Sequence, residues 1–145
     1  MKRLLNTSGA PLLLCRIVVG LIFLSEGLQK FFLAGPGVER FSKIGFSNPS
    51  FWACFTGSFE IVCGVLILIG WVTRLAAIPL LIIMLVAFAT TKIPILIGKG
   101  FWSFAHEYRT DFAMTLLLML LLIYGGGNNS VDKKLSDPGT GSKLL

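Results

Sequence analysis

Between Ile44 and Thr91 lie 48 residues with only two charges, Glu60 and Arg74, and from Phe112 to Val131 there are 20 residues with none. Runs this long and this apolar cannot form a water-facing surface, and they read as membrane spans. The rest of the composition agrees. Charged residues make up 14% of the 145 residues and apolar ones 54%, against roughly one quarter charged in a soluble domain. Mean hydropathy is +0.82. A disordered chain, a disulfide scaffold and an ordinary soluble domain are excluded.

The formal charge of +6 and pI near 9.6 do not point to nucleic acid. The basic residues are scattered singly rather than grouped in a stripe, which suits lipid headgroups and topology signals. No small-residue cleavage site closes the first apolar run, so a cleavable signal is not expected.

Pattern and breakers predict an all-α integral membrane four-helix bundle. The spans are expected over 11–33, 51–70, 74–91 and 108–124, within a membrane domain of 11–125. A cytoplasmic N-terminal segment of 1–10 and a polar, mobile tail of 126–145 flank it. Pro11 suits a first helical position. Val38, Phe41 and Ile44, with Glu39, Arg40 and Lys43 between them, suggest a short interfacial helix after span 1. Asn48-Pro49-Ser50 reads as a stop followed by a cap, and Gly70-Trp71-Val72-Thr73 as a tight turn. Pro79 falls in the second turn of span 3. Residues 93–106, broken by Pro94 and Gly98-Lys99-Gly100, read as an interfacial or re-entrant segment before span 4. With both termini inside, seven basic residues face the cytoplasm against six outside, which favours cytoplasmic termini.

A charge within the bilayer is expensive and needs a reason. Arg16, Glu26 and Lys30, with Gly20, Phe23 and Gly27, share one stripe of span 1 about 120° wide at 100° per residue. That stripe is expected to face the bundle, its glycines admitting a close helix neighbour. Glu26 precedes Lys30 by four residues, the favourable order for a helical ion pair. Glu60 sits ~13 Å into span 2, close to the midplane, with Gly57 and Gly64 on nearly its own face. A long Arg16 side chain is expected to reach it. These four residues are candidates for ligand binding or proton relay, with a structural ion pair as the equal alternative. Arg74 and Asp111 are secondary candidates. Arg74 reads first as a snorkelling topology anchor, and Asp111 as a first-turn partner of a helix dipole.

Other chemistry is sparse. Cys15, Cys54 and Cys63 fall inside spans. Cys54 and Cys63 would lie ~13 Å apart on opposite faces of one helix, too far to bridge. No CxxC occurs, and His106 is the single histidine. No metal-ligand spacing, phosphate loop or nucleophile elbow is present.

The residues that stand out are arranged as in a known family. Arg16-Ile-Val-Val-Gly20 precedes Glu26-Gly27 and Lys30. Glu60 precedes Gly64 and Gly70, and Gly70-Trp-Val-Thr-Arg74-Leu-Ala-Ala77 follows. Gly125-Gly-Gly127-Asn-Asn-Ser130-Val-Asp132 fits a Gly-x-Gly-x-x-Ser-x-Asp ending. In order and spacing, over about 12–132, the chain resembles the DoxX family of small four-helix bacterial membrane proteins. Two departures stand out: family members often carry Glu where this chain has Asp111, and the 93–106 stretch is longer and more aromatic.

The resemblance implies a multi-pass protein of the bacterial inner membrane with cytoplasmic termini. It further implies an accessory subunit of a quinone-linked oxidoreductase assembly. The charged cluster would then bind a quinone headgroup or relay protons, membrane lipids would surround the bundle, and a partner oxidoreductase subunit would supply the redox centre. The chain itself offers no cofactor site of its own kind beyond a bound quinone. The alternatives are a non-catalytic scaffold, chaperone or lipid carrier, and a small transporter acting as a homo-oligomer.

Overall fold

The computed structural model describes residues 9–33 and 36–136. Helix α1 (Gly9–Phe32) leads to the short α2 (Pro36–Ile44), then α3 (Pro49–Ile69), α4 (Thr73–Ala87), α5 (Ile93–Lys99), α6 (Phe101–Tyr124) and a terminal α7 (Val131–Ser136). A π turn over Phe88–Lys92 joins α4 to α5, so Thr73–Lys99 is one continuous apolar helix. Together with Ala10–Phe32 and Pro49–Ile69 it makes, among the described residues, three helices long and apolar enough to cross a membrane. The protein is an all-helical membrane protein. Most of the expected 1–10 segment, and residues 137–145 of the expected tail, lie outside the described residues.

Antiparallel α1 and α3 form the tightest pair because both present glycine at the crossing. A Cβ on Gly20 would fall 2.9 Å from the Gly64 carbonyl oxygen, and one on Gly27 2.8 Å from that of Gly57. Small residues let helix backbones meet this closely in lipid, where packing rather than water exclusion drives association. Val19 and Phe23 of α1, Ile67 of α3, Leu80 of α4 and Leu118 and Leu121 of α6 fill the shared core. Leu14, Leu21, Leu75 and Leu85 point outward, as a lipid-facing surface requires.

Residues 93–106, expected as an interfacial or re-entrant segment, are helical on both sides of Gly100 and continuous with the long helices. Pro94 cannot donate to the Thr90 carbonyl and would clash with it in a regular α-helix. The π turn widens the helix there, with Ile93 N–H donating to the Phe88 carbonyl, and the helix continues to Lys99. Gly100, at φ +85°, makes the reversal. From Phe101 to Tyr124 there is neither Gly nor Pro, so α6 starts seven residues before the expected Tyr108. Asp111 therefore lies mid-helix, not in a first turn. The start of α3 also differs from the expected Ser50 cap: Asn48 takes a left-handed conformation, makes no side-chain cap, and Pro49 opens the helix.

The segment after Tyr124 is not a free tail. Up to Ser136 it folds back on the bundle, where it meets the α3–α4 turn.

Candidate functional site

The two ends of the bundle handle their buried charges differently. At the end holding the α3–α4 turn, Arg16 is 2% exposed and its guanidinium is spent on backbone carbonyls. Nε donates to Ile67 O at 2.9 Å, Nη2 to Leu68 O at 2.7 Å, and Nη1 to Gly126 O and Asn129 O at 3.1 and 3.0 Å. Ile67 and Leu68 are in the last turn of α3, where a cation is favoured, and the Ile67 carbonyl also accepts from Gly70 N–H at 3.1 Å.

The same end is closed by Asp132. Its two carboxylate oxygens accept from Val72 N–H at 2.7 Å and Thr73 N–H at 3.1 Å, capping α4 from a segment 60 residues away. Asp132 N–H in turn donates to the Gly70 carbonyl at 3.0 Å. Ser130 Oγ donates to Gly127 O at 2.6 Å and accepts from Lys133 N–H at 3.2 Å. Gly70 is left-handed, at φ +74°, and a Cβ there would run into the Arg16 guanidinium. A Cβ on Gly126 would fall 2.6 Å from that of Ser130. The Gly-x-Gly-x-x-Ser-x-Asp ending is thus a clasp around Arg16. Exposed Arg74 lies beside it, against Gly125.

At the opposite end the charges border space. A cavity of about 440 Å³ is walled by all the long helices and α2. Glu26 and Lys30 come from α1, Arg40 and Phe41 from α2, Trp52 and Glu60 from α3, Lys92 from the π turn, and Asp111 and Met114 from α6. Glu60, 4% exposed, pairs with Lys30 across the α1–α3 crossing. Neither side chain makes any other hydrogen bond among the described residues. Lys30 therefore keeps spare donors, and Glu60 a spare oxygen, beside the cavity.

A second pair stands across it. The Lys92 ammonium donates to Glu107 O at 2.9 Å and lies 3.2 Å from Asp111 Oδ2, with Glu107 Oε2 at 3.9 Å. Buried Lys92 thus bridges the π turn to α6. Thr91 Oγ1, also in that turn, is buried with no hydrogen-bond partner. Among the described residues, no group of three His, Cys, Asp or Glu gathers to hold a metal, and all three cysteines are free.

The six residues singled out in the sequence divide between these ends. Glu26, Lys30, Glu60 and Asp111 line the cavity, and Arg16 and Arg74 do not. Arg16 does not reach Glu60: it lies toward the start of α1, which in an antiparallel pair faces the end of α3. Lys30 takes the place expected of Arg16, and it turns to Glu60 rather than to Glu26, which is exposed at the cavity wall. Lys92 and Arg40 were missed. Lys92 had a signal, since Glu107 and Asp111 sit one turn apart on a single helix face and need a cation. Arg40 had none, being one of several charges on an interfacial helix.

The sequence model of the DoxX family matches residues 11–93, more than half of the chain. The chain belongs to the DoxX family. Among curated DoxX-like relatives it is 47% identical over 148 residues to a Mycobacterium tuberculosis protein named "Uncharacterized membrane protein Rv3486", covering 95% of this chain and 90% of that one. It is also 33% identical over 81 residues to the Bacillus subtilis "Putative oxidoreductase CatD", covering 56% of this chain and 59% of that protein. No solved structure matches the chain. The DoxX match ends at Ile93, so Lys92 lies just inside it and Asp111 and the Asp132 clasp lie beyond it.

Proposed function

We propose that this DoxX protein is an accessory subunit of a quinone-linked oxidoreductase assembly and that its cavity takes the quinone headgroup. The observation that carries the reading is the Lys30–Glu60 pair, buried in the membrane yet bordering a cavity with unused donors and acceptors. The volume of about 440 Å³ lies within the range of small-molecule sites, and an apolar lining with a few convergent polar groups is their usual form. The name of the Bacillus relative supports oxidoreductase work more distantly.

A quinone, when bound, supplies two-electron, two-proton chemistry. The residues would supply the rest. Lys30 Nζ, held in place by Glu60, would donate a hydrogen bond to a carbonyl oxygen of the headgroup. Glu60 holds or releases a proton at its free oxygen. Lys92 and Asp111 offer the same pairing on the other wall. α2, through Phe41, covers the site and keeps bulk water from it. The electron donor is a partner subunit. In this reading α6 is the fourth crossing, its charges at 107–111 placed toward one interface, and both termini are cytoplasmic in a bacterial inner membrane.

Mass spectrometry of lipids co-purified with the gently extracted protein tests this. A stoichiometric quinone in the wild type, lost from folded Glu60→Gln, is the expected result. Quinone absent from both folded proteins overturns it and leaves a non-catalytic scaffold or carrier.

A further inference from the structure

The cavity has an apolar flank that is also outer surface. Phe55 of α3 and Ile82 and Val86 of α4 line it, yet they are 46%, 57% and 43% exposed. Side chains that are both mark a stretch where the wall is one side chain thick or open. α3 and α4 are joined at the Gly70–Thr73 turn, and Phe55 and Val86 lie ~20 Å along the two helices from it. Both helices are apolar enough to cross a membrane, so the opening between them faces hydrocarbon rather than water. Glu60, by contrast, is reached only from within.

We propose that the cavity is entered sideways from the bilayer, between α3 and α4, and that its ligand is an amphiphile whose chain lies in that seam at Phe55, Ile82 and Val86. The ring assignment rests on the quinone reading above; the portal does not. A chain in the seam never leaves an apolar medium, and only the headgroup changes surroundings, passing from the lipid interface to the Lys30–Glu60 pair. A ring without a chain has no use for the seam.

Trp52 lines the cavity, whereas Trp71 and Trp102, the other two tryptophans, are exposed elsewhere. In a Trp71→Phe/Trp102→Phe background, held in phospholipid nanodiscs, quenching of Trp52 reports binding. The probes are a chainless benzoquinone and its decyl-chain homologue. Adding Ile82→Phe and Val86→Phe narrows the seam without touching a charged residue, and a thermal melt confirms that this variant is folded. The expected result is an affinity loss of about tenfold for the decyl quinone and less than about twofold for the chainless ring. Equal losses for both probes, or no loss for either, overturn the portal.

If neither quinone quenches the parent background, the ring assignment fails, and phospholipids brominated along their acyl chains decide the portal alone. Quenching of Trp52 that the narrowed variant relieves supports it. Quenching that is absent, or unchanged by the narrowing, overturns it.

Discussion

The two ends of the bundle carry buried cations in opposite ways. Arg16 has four of its five guanidinium N–H donors committed to main-chain carbonyls, and it does not line the cavity. Lys30 has one side-chain partner and an open space beside it. A planar fork of fixed donors suits the first task, and a compact ammonium with rotatable donors suits the second. Intramembrane charge is therefore not by itself a sign of a binding site. What separates the two cations is that Arg16 is enclosed by carbonyls and Lys30 borders open space.

The largest expected effect breaks the clasp. Arg16→Met leaves four carbonyls without their donor and is expected to destabilise by about 4 kcal/mol or more, seen as loss of the monodisperse peak in detergent and a sharply lowered melting temperature. Gly126→Val forces a Cβ into Ser130 and Thr73. A cost of about 3 kcal/mol is expected in the same melt, with cavity binding unchanged at temperatures where the protein is folded.

At the other end the expected loss is smaller and can be compensated. Lys30→Met alone strands a carboxylate and costs about 2 kcal/mol, whereas Lys30→Met/Glu60→Gln recovers most of it. The double-mutant cycle should give a coupling of about 1 kcal/mol or more for that pair, and none between Arg16 and Glu60. Coupling between Arg16 and Glu60 would join the two ends and erase the distinction. Lys92→Met is expected to cost about 1 kcal/mol, because Asp111 and Glu107 keep partial access to solvent. Lys43→Ala, which removes the exposed pair with Glu39, should shift the melt by less than about 0.5 kcal/mol.

The fold was legible where hydrophobic runs and breakers decide it. The helical membrane class, α2, the Gly70–Thr73 turn and the close approach at Gly20 and Gly27 all follow from apolar pattern and small residues. The helical continuity through Pro94 was not legible because a proline normally ends a helix, and here a π turn accommodates it. The pairing of charges was the least legible feature. A helical wheel places Arg16, Glu26 and Lys30 on one stripe, but not at one depth relative to α3. That depth depends on the antiparallel register fixed by Gly20 against Gly64 and Gly27 against Gly57. The role of Asp132 was hidden for a different reason: its partners are main-chain N–H groups, which no side-chain pattern announces.

The clasp also orders events in time. Two of the four acceptors of Arg16, on Gly126 and Asn129, are made 110 and 113 residues after it. Until then the guanidinium has only the Ile67 and Leu68 carbonyls of α3 as partners. The segment from Gly126 completes the set, and the same segment caps α4 through Asp132. Nascent chains ending before Gly126 should remain bound to insertase or be degraded in a pulse–chase, whereas chains ending just past Ser136 should persist.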